Sequence, residues 1–365
     1  MVIGRVARRV LGSAAGAVDR AATLAVQARN NVQRSSARTQ PVGPDERVTA
    51  LQGFVESYPD SLGDEFFLPP QGISPVAREL PSEIVFAASG MAQRLAKTWD
   101  LSWASEYRPF LPALAERYAR TTENHAAGVR LLTAGDPRPV AILIHGYMAG
   151  SYQVEQRVWP LQRLLRSGYD VALFTLPFHG VRANVARRGA PEFPGTDPRF
   201  SNEGFRQVIL DLRNFVRWLR ERGHPEIGVM GMSLGGYTAA LLATVEPGLS
   251  FCVPVIPLAS LADFAREQGA LSSAPEVQAR EHALLERIYR VVSPLDRKPL
   301  ISPSRTLVVA AKADRITPVV HARKLAAHFG SQLVSWHGGH LLQLGRNAAF
   351  RRVETLLREL QGRPI

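Results

Sequence analysis

A short run, Glu226 to Met230, leads into Gly231-Met232-Ser233-Leu234-Gly235, and an alanine- and leucine-rich helical pattern, Tyr237 to Thr244, leads out of it. A strand that turns this sharply into a helix brings backbone against backbone. Side chains at positions 231 and 235 would collide there, so glycine is required at both. The turn lifts the Ser233 hydroxyl clear of the main chain, and the helix start behind it aims unpaired N–H groups at any nearby anion. A serine in this strand–turn–helix setting is placed to act as a nucleophile.

Serine is a weak nucleophile at its own pKa. It needs an adjacent base, and the base needs an orienting acid. Candidates for both lie just past apolar runs that read as strands. Asp314 follows Leu307 to Ala311, and His340 follows Leu333 to Trp336. Upstream, His145-Gly146-Tyr147 follows Val140 to Ile144. The chain order is serine, acid, histidine. Each partner has a rival. Asp263, seven residues past the run 251–256, competes for the role of acid. His337 directly follows its strand and competes with His340, which follows Gly338-Gly339 and opens the last helix.

From Val129 onward the chain alternates. Strands are expected at 129–133, 139–144, 170–175, 226–231, 251–256, 306–311 and 332–336, with helical patterns between most of them. In the pattern from Ser201 to Arg222, Phe205, Val208, Leu212, Phe215 and Leu219 form one face. Arg206, Arg213, Arg217 and Arg220 fall on the other, which reads as solvated. Such alternation implies an α/β fold, a mostly parallel central sheet with helices on both faces and sites at the carboxyl ends of the strands. An insert at about 257–304 reads as a small helical cap that bounds the substrate pocket.

Four stretches, taken together, resemble the α/β-hydrolase superfamily: Ala141 to Gly146, Gly231 to Gly236, Ala313 to Pro318, and Gly338-Gly339-His340. The resemblance covers roughly residues 129–361. It implies the α/β-hydrolase fold and a serine hydrolase of carboxylic esters or thioesters. Ser233 would be the nucleophile, His340 the base and Asp314 the acid, with an acyl-enzyme intermediate and no cofactor. It implies an oxyanion hole built from the backbone N–H groups of Leu234 and of Tyr147 or Met148. An acyltransferase with the same triad, or a catalytically silent binding protein, is the alternative. Pro177-Phe178-His179-Gly180 departs from the family pattern in its loop; His179 is either part of the pocket wall, with Met148, or a turn residue. His145 reads as structural.

Composition narrows the rest. With 365 residues and 45% hydrophobic content, the chain can bury one large α/β domain plus extra segments. The catalytic domain is expected at 128–365, preceded at 39–127 by a linker and a helical extension packing on it. The single cysteine, Cys252, lies in an apolar run and reads as a buried small residue rather than a reactive thiol. It leaves no intramolecular disulfide to form. No His/Cys/Asp cluster has metal spacing, no Lys-Ser or Lys-Thr pair follows Gly231–Gly236 as a phosphate loop requires, and no basic–aromatic module suggests nucleic acid.

The net charge is +12, and the first forty residues carry +6 of it: seven arginines against one acid, Asp19. Residues 1–38 show Ile3, Val6, Val10, Ala14, Ala17, Ala21, Leu24 and Ala28 at helical spacing. A basic amphipathic helix in peripheral contact with an anionic membrane and a disordered arm both fit. Removing this segment is expected to leave catalysis intact. With no apolar run approaching ~18 residues, the expected location is cytoplasmic, including the inner face of a membrane. The expected ligand is a small-molecule or lipid ester.

Overall fold

The computed structural model describes residues 15–21, 43–81, 97–184, 186 and 189–362. Most of the basic segment 1–38, and with it the expected membrane contact, lies outside the described residues. Nine strands form one sheet: β1 (Val76–Leu80), β2 (Lys97–Ala104), β3 (Ala126–Thr133), β4 (Val140–Ile144), β5 (Asp170–Phe174), β6 (Ile227–Met232), β7 (Cys252–Val255), β8 (Leu307–Ala311) and β9 (Gln332–Trp336). Their order is β1-β2-β3-β5-β4-β6-β7-β8-β9. The pairings from β1 to β5 are antiparallel and those from β5 to β9 parallel.

The parallel strands read as continuous apolar runs because helices cover both faces. In β4, Val140, Ile142 and Ile144 face one core, with the helices Pro198–Glu221 and Leu234–Leu242. Ala141 and Leu143 face the other, with Trp159, Leu164, Phe350 and Val353. From β4 the chain steps outward to β5 and then crosses back past β4 to β6. The carboxyl ends of β4 and β6 therefore open onto the crevice where the winding reverses, the place where such sheets hold ligands. Ile144 pairs with Gly231 in that register, which sets the loop after His145 beside Ser233.

Two regions differ from what the sequence suggests. Residues 47–127, expected to be helical in pieces, supply short helices and also the two strands β1 and β2. In β2, Leu101 and Trp103 face one core, and Thr98 is buried on the opposite face of the strand. Trp103 stacks on Phe215 at 5.7 Å, so part of the expected helical extension is a strand packed on the core.

The second difference follows from the first. The extension wraps part of the helix Pro198–Glu221, so the expected solvated arginine face is covered at Arg206 and Arg213, while Arg217 and Arg220 stay exposed as expected. Arg206 is 6% exposed and donates to the carbonyls of Phe66 and Arg108. Arg213 pairs with Glu246 at 3.0 Å and donates to Leu68 O. Glu203 on the same helix accepts the N–H groups of Phe110 and Leu111 and the hydroxyl of Tyr107, and burial pushes its pKa up. The insert forms the helices Leu261–Glu267 and Pro275–Tyr289; the latter packs on Pro44–Glu56 and on Pro198–Glu221. Among the described residues, no helix is long and apolar enough to cross a membrane.

Candidate active site

The turn after β6 is as tight as its glycines require. A Cβ at Gly231 would stand 1.8 Å from Gly235 O, and one at Gly235 would stand 2.1 Å from Ile144 O. Ser233, between them, has φ 57° and ψ −113°, a backbone conformation that costs a non-glycine residue free energy and that the surroundings must enforce. They do so through Ser233 N–H, which donates to Val255 O at 2.9 Å, and through the helix Leu234–Leu242 that starts at once. The first N–H groups of that helix have no intrahelical acceptor. Leu234 N–H is the first of them. Across the crevice, a Cβ at Gly146 would lie 3.5 Å from Ser233 Cβ, so Tyr147 and Met148 follow directly on the residue that abuts the serine.

Asp314 and His340 meet past the ends of β8 and β9. His340 Nδ1 lies 2.8 Å from Asp314 Oδ2. The other carboxylate oxygen, Oδ1, accepts the N–H groups of Ile316 at 2.9 Å and Thr317 at 2.7 Å. Asp314 is 3% exposed. A carboxylate held this way accepts a hydrogen bond from His340 Nδ1–H, which leaves Nε2 as the basic nitrogen. Gln343 ties this loop to the nucleophile turn, its amide reaching both His340 O at 3.1 Å and the Sδ of Met232, the residue before Ser233, at 3.2 Å.

The rivals are engaged elsewhere. Asp263 binds Arg266 at 2.6 Å, His282 at 3.0 Å and Lys324 at 2.6 Å. Asp263, His282 and Glu286 bring potential metal-ligand atoms within 4.8 Å of one another, but Arg266 and Lys324 already occupy both oxygens of Asp263. His337 is exposed on the surface. Cys252 is fully buried, its Sγ donates to Ala239 O, and burial pushes its thiol pKa up, so it is held as an inert thiol.

His145 is a staple. Its Nδ1–H donates to Gly146 O at 2.8 Å and its Nε2 accepts Leu176 N–H at 3.0 Å, joining the loop after β4 to the loop after β5. Burial lowers its pKa to about 3, with neighbouring His179 adding to the effect. His179 is also buried, donates from Nδ1 to Pro177 O, and has its pKa lowered to about 4 by burial. It lines a cavity of about 150 Å³ together with Met148, Phe178, Asn184, Pro191 and Glu192. Both Met148 and His179 thus fall on one wall. The lining comes from the loops after β4 and β5, and none of it from the insert 257–304.

Sequence reasoning gave Thr317 no role. Its Oγ1 lies 2.9 Å from Ile256 O, 3.0 Å from Asp314 Oδ2 and 3.0 Å from His340 Nδ1. A threonine three residues past a candidate acid was the available signal, since such a hydroxyl folds back readily on the local turn.

Residues 141–353 match the model of the family described as the alpha/beta hydrolase family. Over 235 residues the chain is 32% identical to an uncharacterized protein of Mycobacterium tuberculosis, matched in two strains, which covers 62% of this chain and 55% of that one. The chain therefore spans about half the length of the curated relatives it matches. The acetyl xylan esterase of Paenibacillus sp. R4 has a similar structure, with a TM-score of 0.53 at 16% identity over 84% of this chain and 92% of that one. Acetyl xylan esterase 1 of Thermoanaerobacterium sp. JW/SL YS485 has a TM-score of 0.50 at 15% identity over 87% and 93%. At such identities these two speak for the fold alone. With more than half its length matched by the family model and a sheet wound in this order, the chain belongs to the alpha/beta hydrolase family.

Proposed function

We propose that the protein is a serine hydrolase that cleaves a small carboxylic ester or thioester through an acyl-enzyme on Ser233. The observation that carries this is a set of three features at the carboxyl ends of β6, β8 and β9. Ser233 stands in a strained turn ahead of a helix, Asp314 and His340 are bonded at 2.8 Å, and Gln343 links the two sets.

Ser233 Oγ attacks the carbonyl carbon while His340 Nε2 takes its proton. Asp314 holds the tautomer and stabilises the imidazolium that forms. The N–H groups of Leu234 and Tyr147 are aimed at the developing oxyanion; one such donor is worth about a hundred- to thousandfold in rate. Collapse expels the alcohol or thiol, which receives the proton from His340. Water then attacks the acyl carbon by the reverse sequence, with His340 again as base, and the acid product leaves.

A small acyl group fits the cavity of about 150 Å³ that begins at Met148, next to Tyr147, and is walled by His179 but not by Ser233 or His340 themselves, a size at which a cavity holds a molecule about as large as benzene. The burial of His179 keeps its imidazole uncharged at neutral pH. The mouth is open, with Tyr147 41% and Met148 63% exposed, and an open mouth admits water as acceptor. A series of p-nitrophenyl esters from acetate to dodecanoate tests this. Turnover should be greatest for the shortest chains and insensitive to added alcohol. Preference for the long chains would overturn the small-acyl assignment, and turnover that requires an added alcohol would make the protein a transferase.

A further inference from the structure

Asp19, the single acid among the first forty residues, is completely buried. It sits on a helical turn, residues 15–21, that is seated on the two loops carrying the acid and the base. A Cβ at Gly16 would lie 3.2 Å from Ala313 O. A Cβ at Gly339 would lie 3.0 Å from Ala15 O and 2.7 Å from Asp19 Oδ2. Glycine at both positions lets backbone approach backbone. The Asp19 carboxylate accepts three main-chain N–H groups across that seam. Oδ2 takes His340 N–H at 2.6 Å and Arg315 N–H at 3.3 Å, and Oδ1 takes Leu341 N–H at 3.0 Å.

We propose that Asp19 is a positioning residue for the Asp314–His340 pair, so that the N-terminal segment completes the active site. This rests on the serine-hydrolase assignment. The Asp314 carboxylate fixes the imidazole at Nδ1 but leaves the histidine backbone to be held by other groups. His340 follows two glycines, whose loop has wide conformational freedom. Two main-chain bonds, Ala313 N–H to Gly338 O and Gly339 N–H to Leu342 O, shape that loop. Asp19 joins His340 directly to Arg315, the residue after the acid. Its bonds are charge-assisted, and the one to His340 is the shortest of them. Displacement of a reacting group by about 1 Å costs about a hundredfold in rate. Under this proposal, removing residues 1–38 costs activity, contrary to the expectation that the segment is separable from catalysis.

The test uses full-length Asp19→Ala and Asp19→Asn, with the acylation burst of p-nitrophenyl acetate. Burst amplitude counts competent sites, and the burst rate constant reports alignment at each. The far-downfield proton resonance of His340 Nδ1–H reads the acid–base pair without substrate. Asp19→Ala should lower the acylation rate constant about a hundredfold, leave KM within about threefold, and broaden or abolish the resonance. Asp19→Asn, which keeps one acceptor oxygen, should fall between Asp19→Ala and the wild type. Should Asp19→Ala not fold, Asp19→Asn carries the test. Wild-type acylation per titrated site with the resonance intact, even at a lowered Tm, would overturn the proposal and leave Asp19 as a purely structural cap. Hydrolysis that survives Ser233→Ala would instead remove the serine-hydrolase assignment, and the resonance would still judge Asp19.

Discussion

Replacing Thr317 with valine exchanges a hydroxyl for a methyl of nearly the same size at a site that is 3% exposed. The hydroxyl has one proton and two acceptors in reach, Ile256 O at 2.9 Å and Asp314 Oδ2 at 3.0 Å. Asp314 Oδ1 already has two backbone donors, whereas Oδ2 has His340 and Thr317. If the proton goes to Asp314, valine removes a hydrogen bond to a charged group, worth about 1.5–3 kcal/mol. That bond favours the ionised acid that must stabilise the imidazolium. Because about 1.4 kcal/mol is tenfold in rate, kcat on p-nitrophenyl acetate should fall about ten- to a hundredfold with KM within about threefold. Thr317→Ser keeps the hydroxyl and should stay close to wild type. If the proton goes to Ile256 O instead, valine orphans a buried carbonyl and lowers stability by about 1–3 kcal/mol without touching the chemistry. Wild-type kcat together with a lowered Tm in Thr317→Val would refute a role for this hydroxyl in the acid–base pair.

Two further outcomes follow from the buried groups around the site. Arg182 and Asp211 are paired at 2.9 Å with 1% and 0% of their side chains exposed. Asp211→Ala should therefore destabilise by about 3–5 kcal/mol, read by chemical denaturation, because it leaves an uncompensated buried cation. His145 and His179, at about 3 and about 4, lie below the ordinary value of about 6.5, so the unfolded chain takes up protons that the folded one refuses. Their contribution is intact above pH ~6.5 and is lost progressively as pH falls toward 4 and then 3, amounting to about 2 kcal/mol each at pH 5. The buried carboxylates Glu203 and Asp211 are shifted upward and act in the opposite direction. The histidine share is therefore read as the drop from pH 7 to pH 5 that is present in the wild type and absent from the double variant His145→Gln, His179→Gln.

The catalytic half of the fold was legible because its strands are buried on both faces and read as unbroken apolar runs. The chemistry-bearing residues sit at the ends of those runs. Ser233 stood out through Gly231 and Gly235, whose missing Cβ atoms the turn requires. Strand β2 was obscured because it buries only Leu101 and Trp103 on one face and Thr98 on the other, too few positions to show either an alternating pattern or an unbroken apolar run. The arginines of the helix Pro198–Glu221 follow its polar periodicity faithfully. The covering of Arg206 and Arg213 depends on the carbonyls of Phe66, Leu68 and Arg108, brought from over ninety residues away, which no local pattern encodes. Asp19 is the extreme case. Its partners His340 and Leu341 lie 321 and 322 residues along the chain, and in sequence it is only an acid that interrupts a basic helical stripe.

The central claim, that Ser233 is the nucleophile of an Asp314–His340-assisted site, is tested most directly by covalent labelling. The full-length protein is treated with a fluorophosphonate probe and the modified peptide is identified by mass spectrometry, alongside Ser233→Ala and His340→Ala. Stoichiometric modification is expected at Ser233, none in Ser233→Ala, and labelling slowed by several orders of magnitude in His340→Ala with its fold retained. Modification at another residue, or labelling that persists in Ser233→Ala, would contradict it.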